Sequence, residues 1–344
     1  MQRVRAPALI FALVLSLPAG VPRGVDWQPQ TSGVKARIRG LSAVSARVAW
    51  ASGANGTILR TLDGGTTWQP RTIPATTALD FRDIDAFSER LAYALSIGPG
   101  ESSRIYKTTD GGEHWDLQFA NLDPKVFLDS MAFWDAGRGM AFSDSVDGRF
   151  VVFTTTDAGR TWSRVVPDRL PAALDGEGAY AASGTNVAVS GRALAWIGTT
   201  AGRVLRSADA GKTWTVAQTP LHTGKSAGIF SIVFRNASDG IIVGGDFNRP
   251  DEAVDNAAVT SDGGATWTLV KGLRGYRSVV AWSRDGRGPA IAVGPSGSDL
   301  SIDNGRTWSP VASEGYDTLS VAPHASIAWA AGENGRIAKL TIHD

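Results

Sequence analysis

Two segments of this chain hold side chains that could do chemistry. Residues 143–149 run Ser-Asp-Ser-Val-Asp-Gly-Arg and present Asp144 and Asp147 three residues apart. Residues 244–256 present Asp246 close to Arg249. Two opposed carboxyl groups suffice for glycoside hydrolysis, one as acid and one as nucleophile or base. Asp144, Asp147 and Asp246 are therefore the candidate catalytic residues. Asp also closes its own turns by bonding nearby backbone N–H groups, and that competing use is the commoner one. A second group is cationic: Arg37, Arg39, Arg82 and Arg277, with Lys125, Lys225 and Arg274 and the neighbouring Asp83, Asp129, Tyr276, Tyr316 and Asp317. Several guanidinium groups around one opening would grip a carboxylate or an acidic protein surface. The candidate binding face is thus Arg37, Arg39, Arg82, Asp144, Asp147, Asp246, Arg249 and Arg277.

Other chemistries are excluded by what is missing. There is no cysteine, so thiol catalysis and Cys-based zinc sites are out. His114, His222, His324 and His343 show no metal-ligand spacing, and no EF-hand pattern occurs. No Gly-x-Gly-x-x-Gly follows a strand to open a helix, so no nucleotide-binding unit is indicated. No metal and no cofactor are expected. Lys and Arg number 34 against 33 Asp and Glu, and no nucleic-acid partner is expected from that balance.

The elements that must position these residues come from a repeat. One octad, Ser/Thr-x-Asp-x-Gly-x-x-Trp, occurs six times, with its Asp at 63, 110, 157, 209, 262 and 303. The closing residues are Trp68, Trp115, Trp162, Trp214, Trp267 and Trp308. Successive Asp residues lie 47, 47, 52, 53 and 41 positions apart. Physically the octad is a turn. The Asp accepts backbone N–H bonds two residues on, the Gly takes positive φ, and the Trp anchors the next strand with a large apolar ring. Three short apolar runs precede each octad, as in Phe81–Ile84, Leu91–Leu95 and Arg104–Lys107. With the segment after each Trp, that makes four strands per repeat of 40–50 residues, the signature of propeller blades.

Six octads predict seven blades. Trp50 and Trp196 each stand thirteen residues before an octad Asp, and Trp329 plus thirteen is Ile342, two residues before the last residue given. A seventh repeat therefore has three strands. Asp26-Trp27-Gln28-Pro29 resembles Thr67-Trp68-Gln69-Pro70 without a repeat before it, so the N-terminal strand is expected to close the last blade. The fold expected is all-β: one seven-bladed β-propeller of four-stranded blades over residues 25–344. If the octads join third to fourth strands, the 4→1 and 2→3 connections share the opposite face. That face carries both the carboxylates and the arginines singled out above.

Ahead of the propeller, Arg3 and Arg5 precede an apolar run, Ala8–Leu17, followed by Pro18, Ala19 and Gly20. This is the layout of a secretory signal peptide, too short for a comfortable membrane span. Residues 1–24 are expected to be a signal segment, the chain periplasmic or secreted, and the mature chain a soluble monomer that does not span the membrane.

The octads resemble the Asp-box (bacterial neuraminidase) repeat. Their regular spacing and the form Gly-x-Ile-Leu-x-Thr-x-Asp-Gly-Gly-x-Thr-Trp, read from Gly56 to Trp68, are similar to the photosystem II stability/assembly factor-like proteins. The resemblance spans roughly residues 25–344 and implies a non-catalytic scaffold that binds a protein or an envelope complex. Asp boxes also occur on sialidases and other glycosidases, so a polysaccharide-active hydrolase with a glycan substrate is the competing expectation. Against it, the Arg-Ile-Pro motif of sialidases is absent, with only Arg37-Ile38-Arg39 and Thr72-Ile73-Pro74 near it.

Overall fold

A computed structural model describes residues 24–343. The expected signal segment, apart from Gly24, lies outside the described residues. Seven four-stranded antiparallel sheets form the fold, six of them from strands consecutive in sequence. The first strand of every blade touches the first strands of both neighbours, and these contacts close a ring around a central channel. The fourth strand of each blade is outermost. The seventh sheet joins Val25–Thr31 to the last three strands, with Trp27 opposite Leu340. The ring is therefore closed by pairing its two ends, which leaves no open blade edge between them. Trp27 stacks on Tyr316 at 4.9 Å, adding ring contact to the closure.

The core lies between blades. Blade 1 contributes Ile38, Ala49, Leu59 and Trp68 to one apolar cluster, which blade 7 completes with Trp329, Ala331 and Ile337. Trp50, Trp196 and Trp329, each on a second strand, are almost fully buried. Each such ring buries a large apolar area, so blade-to-blade packing dominates the stability of the ring.

The octads are hairpins with one recurring bond pattern. In the first, Thr61 Oγ1 donates to Asp63 Oδ1 at 2.9 Å and accepts from Gly65 N at 2.8 Å. Asp63 Oδ1 accepts from Thr67 N at 2.9 Å, and Oδ2 from Thr67 Oγ1 at 2.7 Å. The Asp thus reaches four residues on rather than two, because the hydroxyl at the head of the octad takes the nearer N–H groups. Gly65 sits at φ 87° against the Gln30 side chain, a conformation and a space that exclude a Cβ. These bonds hold the Asp63 carboxyl at about 2, chiefly through the Thr67 N–H. Asp157 and Asp262 stand at about 2 as well.

Candidate functional site

Because the strands of each blade alternate in direction, the 4→1 and 2→3 connections emerge on the face opposite the Asp boxes. A cavity of about 560 Å³ opens there at the channel mouth. Arg37, Arg39 and Arg82 line it, and so do Tyr180, Phe230, Phe247 and Tyr276. Several of these side chains are aimed by one backbone device. Near their starts, the first strands of blades 1, 2, 3 and 5 each skip a residue in pairing with the second strand, at Arg39, Arg82, Asp129 and Phe230. A bulge re-aims the unpaired residue. In blades 1, 2 and 5 that residue lines the cavity.

The three arginines differ in what they have left to offer. Arg37 makes a two-pronged pair with Asp317, at 2.7 Å through Nε and 2.6 Å through Nη2, and also meets Glu333 at 3.1 Å. Arg82 Nε pairs with Asp80 at 2.8 Å, and Nη1 donates to Ala181 O at 2.8 Å. Among the described residues Arg39 has no hydrogen-bond or ion-pair partner. Burial lowers its pKa, and the charges of Arg82 and Arg37 push the same way. An arginine remains protonated at any physiological pH, so this is a cation that lacks an anion.

Beside it stands an aromatic cluster. Tyr180 stacks on Phe230 at 4.0 Å with the rings 4° from parallel, and Tyr276 meets Phe230 edge-on at 4.6 Å. Phe247, 45% exposed, packs its edge against both Tyr180 and Phe230. Burial holds the Tyr180 hydroxyl at about 12 and raises that of Tyr276 further, so both rings are neutral. The cavity combines an unmatched guanidinium with a flat apolar wall.

Tyr180 comes from a segment that sequence reading passed over. Residues 165–186 join blade 3 to blade 4 and cross the channel mouth. Glu177 fastens the segment: its buried carboxylate pairs with Arg203 and accepts from Thr199 Oγ1 at 2.7 Å and Leu174 N at 2.8 Å. Farther along, Ala181 O takes the bond from Arg82 of blade 2. Ser183 Oγ donates to Ser278 O of blade 6 at 2.9 Å, and Thr185 Oγ1 to Ser231 Oγ of blade 5 at 2.8 Å. Blades on opposite sides of the ring are thus bridged through this one segment. Its signal in the sequence is the longer octad spacing, 52 residues between Asp157 and Asp209.

The carboxylates expected to act together are held apart. None of Asp144, Asp147 and Asp246 lines the arginine–aromatic cavity. Asp246 accepts from Asn248 N at 2.9 Å and pairs with Arg249 at 2.9 Å, a closed local turn. Its pKa is lowered, first by a hydrogen bond from Ser226. Asp147 pairs with Lys125 at 2.9 Å, both well exposed. Asp144 Oδ1 accepts from Ala179 N at 3.1 Å and lines a separate cavity. Arg277, expected on the binding face, is instead a correction: it is 1% exposed and pairs with the fully buried Asp299 at 2.6 Å. Its position next to Ser278 turns it inward under the loop rather than out into the mouth.

A family model described as photosynthesis system II assembly factor YCF48 matches residues 21–194, about half of the chain. The photosystem II stability/assembly factor HCF136, chloroplastic, of Arabidopsis thaliana is 25% identical over 127 residues. That match covers 36% of this chain and 29% of HCF136, so under a third of the relative's length is spanned. A solved structure of YCF48 bound to D1 peptide superposes with a TM-score of 0.62 at 19% identity, over 97% of this chain and 100% of that one. YCF48 from Cyanidioschyzon merolae gives 0.65 at 18% identity, over 92% and 98%. At these identities the structures share the fold.

Proposed function

We propose that this chain, which belongs to the photosynthesis system II assembly factor YCF48 family, is a non-catalytic propeller that binds a segment of another protein at its channel mouth. One observation carries the reading: Arg39 stands without an anion beside the Tyr180, Phe230, Phe247 and Tyr276 cluster. A peptide carboxylate would supply the missing anion, and an adjacent apolar side chain would cover the rings. Aromatic walls give large contact area at little entropic cost, and a desolvated guanidinium selects for carboxylate geometry. The D1 peptide in the solved YCF48 complex belongs to that protein; a peptide as the class of ligand is transferred here as part of the proposal.

The test is fluorescence anisotropy with labelled peptides that place Glu next to Phe or Leu. Arg39→Ala should weaken binding at least about tenfold, the equivalent of ~1.4 kcal/mol. Peptides that bind equally well to wild type and Arg39→Ala would sink the assignment. The glycoside hydrolase reading has less support, because Asp144, Asp147 and Asp246 are engaged separately and face no common cavity.

Export as a periplasmic or secreted monomer is part of the same proposal and rests on the Arg3, Arg5 and Ala8–Leu17 pattern. Fractionation of cells making the full chain should place it in the periplasm or medium. Retention in the cytosol would overturn that part.

A further inference from the structure

A second cavity, about 530 Å³, lies on the same face and shares Tyr180 with the first. Its lining includes Asp144, Asp175, Glu177, Thr200 and Lys225. The charges in it are unevenly matched. Glu177 is fully neutralised by Arg203. Asp144 has one oxygen bonded to Ala179 N and no cation on either, although it is partly buried. Asp175 is exposed and likewise makes no ion pair among the described residues. Lys225 is the one cation of the lining, exposed on the rim and without an ion pair among the described residues. The first cavity shows the opposite imbalance, an unmatched Arg39. Uncompensated charges of opposite sign thus stand on either side of the Tyr180 ring.

We infer that the bound segment runs over Tyr180 from the first cavity into the second, where it presents a basic side chain to Asp144 and Asp175. This rests on the peptide-binding reading above and adds polarity and length to it. The ligand carries a carboxylate at one end and a cation a few residues on. An extended chain rises about 3.3–3.6 Å per residue, so a separation of two to five residues covers the passage over one ring. Each charge removes a cost that the free protein bears, since a partly buried ion without a partner is unfavourable. Burial keeps the Asp144 carboxyl above its ordinary value, in keeping with a site that awaits a cation.

The experiment uses the full chain and two sets of labelled peptides. Both contain Glu next to Phe. The first set adds Lys two to five residues from the Glu, and the second replaces that Lys with norleucine. The first set should bind about tenfold more tightly at its best spacing, and Asp144→Asn should erase the preference. Asparagine keeps an oxygen for the Ala179 N–H, so the loop stays fastened, and an unchanged unfolding temperature verifies that. Arg39→Ala should weaken both sets alike. Equal binding of the two sets by wild type would overturn the second subsite. So would a Lys preference that survives Asp144→Asn and Asp175→Asn together. In either case norleucine peptides that still depend on Arg39 leave the first reading standing. If neither set depends on Arg39, that reading falls, and the second subsite with it.

Discussion

The two faces of this propeller are built to opposite rules. On the Asp-box face, all six octads close the same bonds: the Ser/Thr hydroxyl donates to Asp and accepts from the Gly N–H, and Asp accepts from the N–H of the residue four on. The head hydroxyl and the Asp carboxylate of each octad are thus engaged within the turn itself. The other face repeats little. Its bulges carry Arg39, Arg82, Asp129 and Phe230 at equivalent places, two cations, a carboxylate and an aromatic ring. It also holds Leu122, Val166, Leu174, Phe247 and Val254, five of the eight large hydrophobics that stand exposed among the described residues. Singly exposed hydrophobics are ordinary, but this bias toward one face is what a partner-binding surface requires. A motif that commits its hydroxyl and carboxylate to its own turn six times over leaves neither for a partner. Recognition falls to residues the repeat leaves unsatisfied.

The sharpest way to break that contrast is to disturb the fully buried Arg277–Asp299 ion pair beneath the irregular face. Arg277→Ala leaves Asp299 charged and unpartnered in the interior, which costs about 3–5 kcal/mol. The double variant Arg277→Leu with Asp299→Leu should recover most of that loss, because neither charge remains. Thr155→Val on the Asp-box face removes the bonds to Gly159 N and Asp157 and should cost only about 1 kcal/mol. Denaturant unfolding of the four proteins checks the order. If the octad variant lost more stability than Arg277→Ala, the octads rather than the buried pair would dominate, and the contrast would be wrong.

The fold was legible because it is repeated. The thirteen-residue offset from Trp50 and Trp196 to the octad Asp exposed the three-strand remnant around Trp329, and the Trp27 segment then had one place to go. The structure pairs Trp27 with Leu340 accordingly. The site was legible only in part. Arg37, Arg39 and Arg82 stood out as cations at the starts of first strands, and the structure brings them to one cavity. Arg277 looked equivalent, yet one residue of register turned it inward to Asp299. Tyr180 could not be read off, since its role depends on a non-repeating segment fastened by Glu177 and Arg203, residues 26 apart in sequence. Periodicity reports what blades have in common, whereas the cavity is made from what they do not share.

The contrast can be sharpened further by titration, with a smaller effect. On the Asp-box face, hydrogen bonds hold Asp63, Asp157 and Asp262 at about 2. A carboxyl depressed in the folded state adds stability above its unfolded pKa, and that stability is lost as pH falls toward 2. The inner strands behave oppositely. Asp85 is half-buried on the inner strand of its blade, and desolvation there raises it from 3.8 to about 6 against the opposing bond from Phe133 N–H. A carboxyl raised in the folded state adds stability that is complete below its unfolded pKa and lost as pH rises through the folded value. Wild type should therefore lose stability relative to Asp85→Asn between about pH 4 and pH 6, by on the order of 1 kcal/mol once screening by channel water is allowed for. The neighbouring Asp83 and Asp129 are also raised by burial; the Asp85 charge adds to the rise at Asp83, so the difference reports Asp85 together with its coupling to Asp83, whereas Asp129 takes no such contribution. Thermal unfolding of the pair across this range is the measurement. A difference that stayed flat with pH would place Asp85 in open water and remove it from the buried wall of the channel.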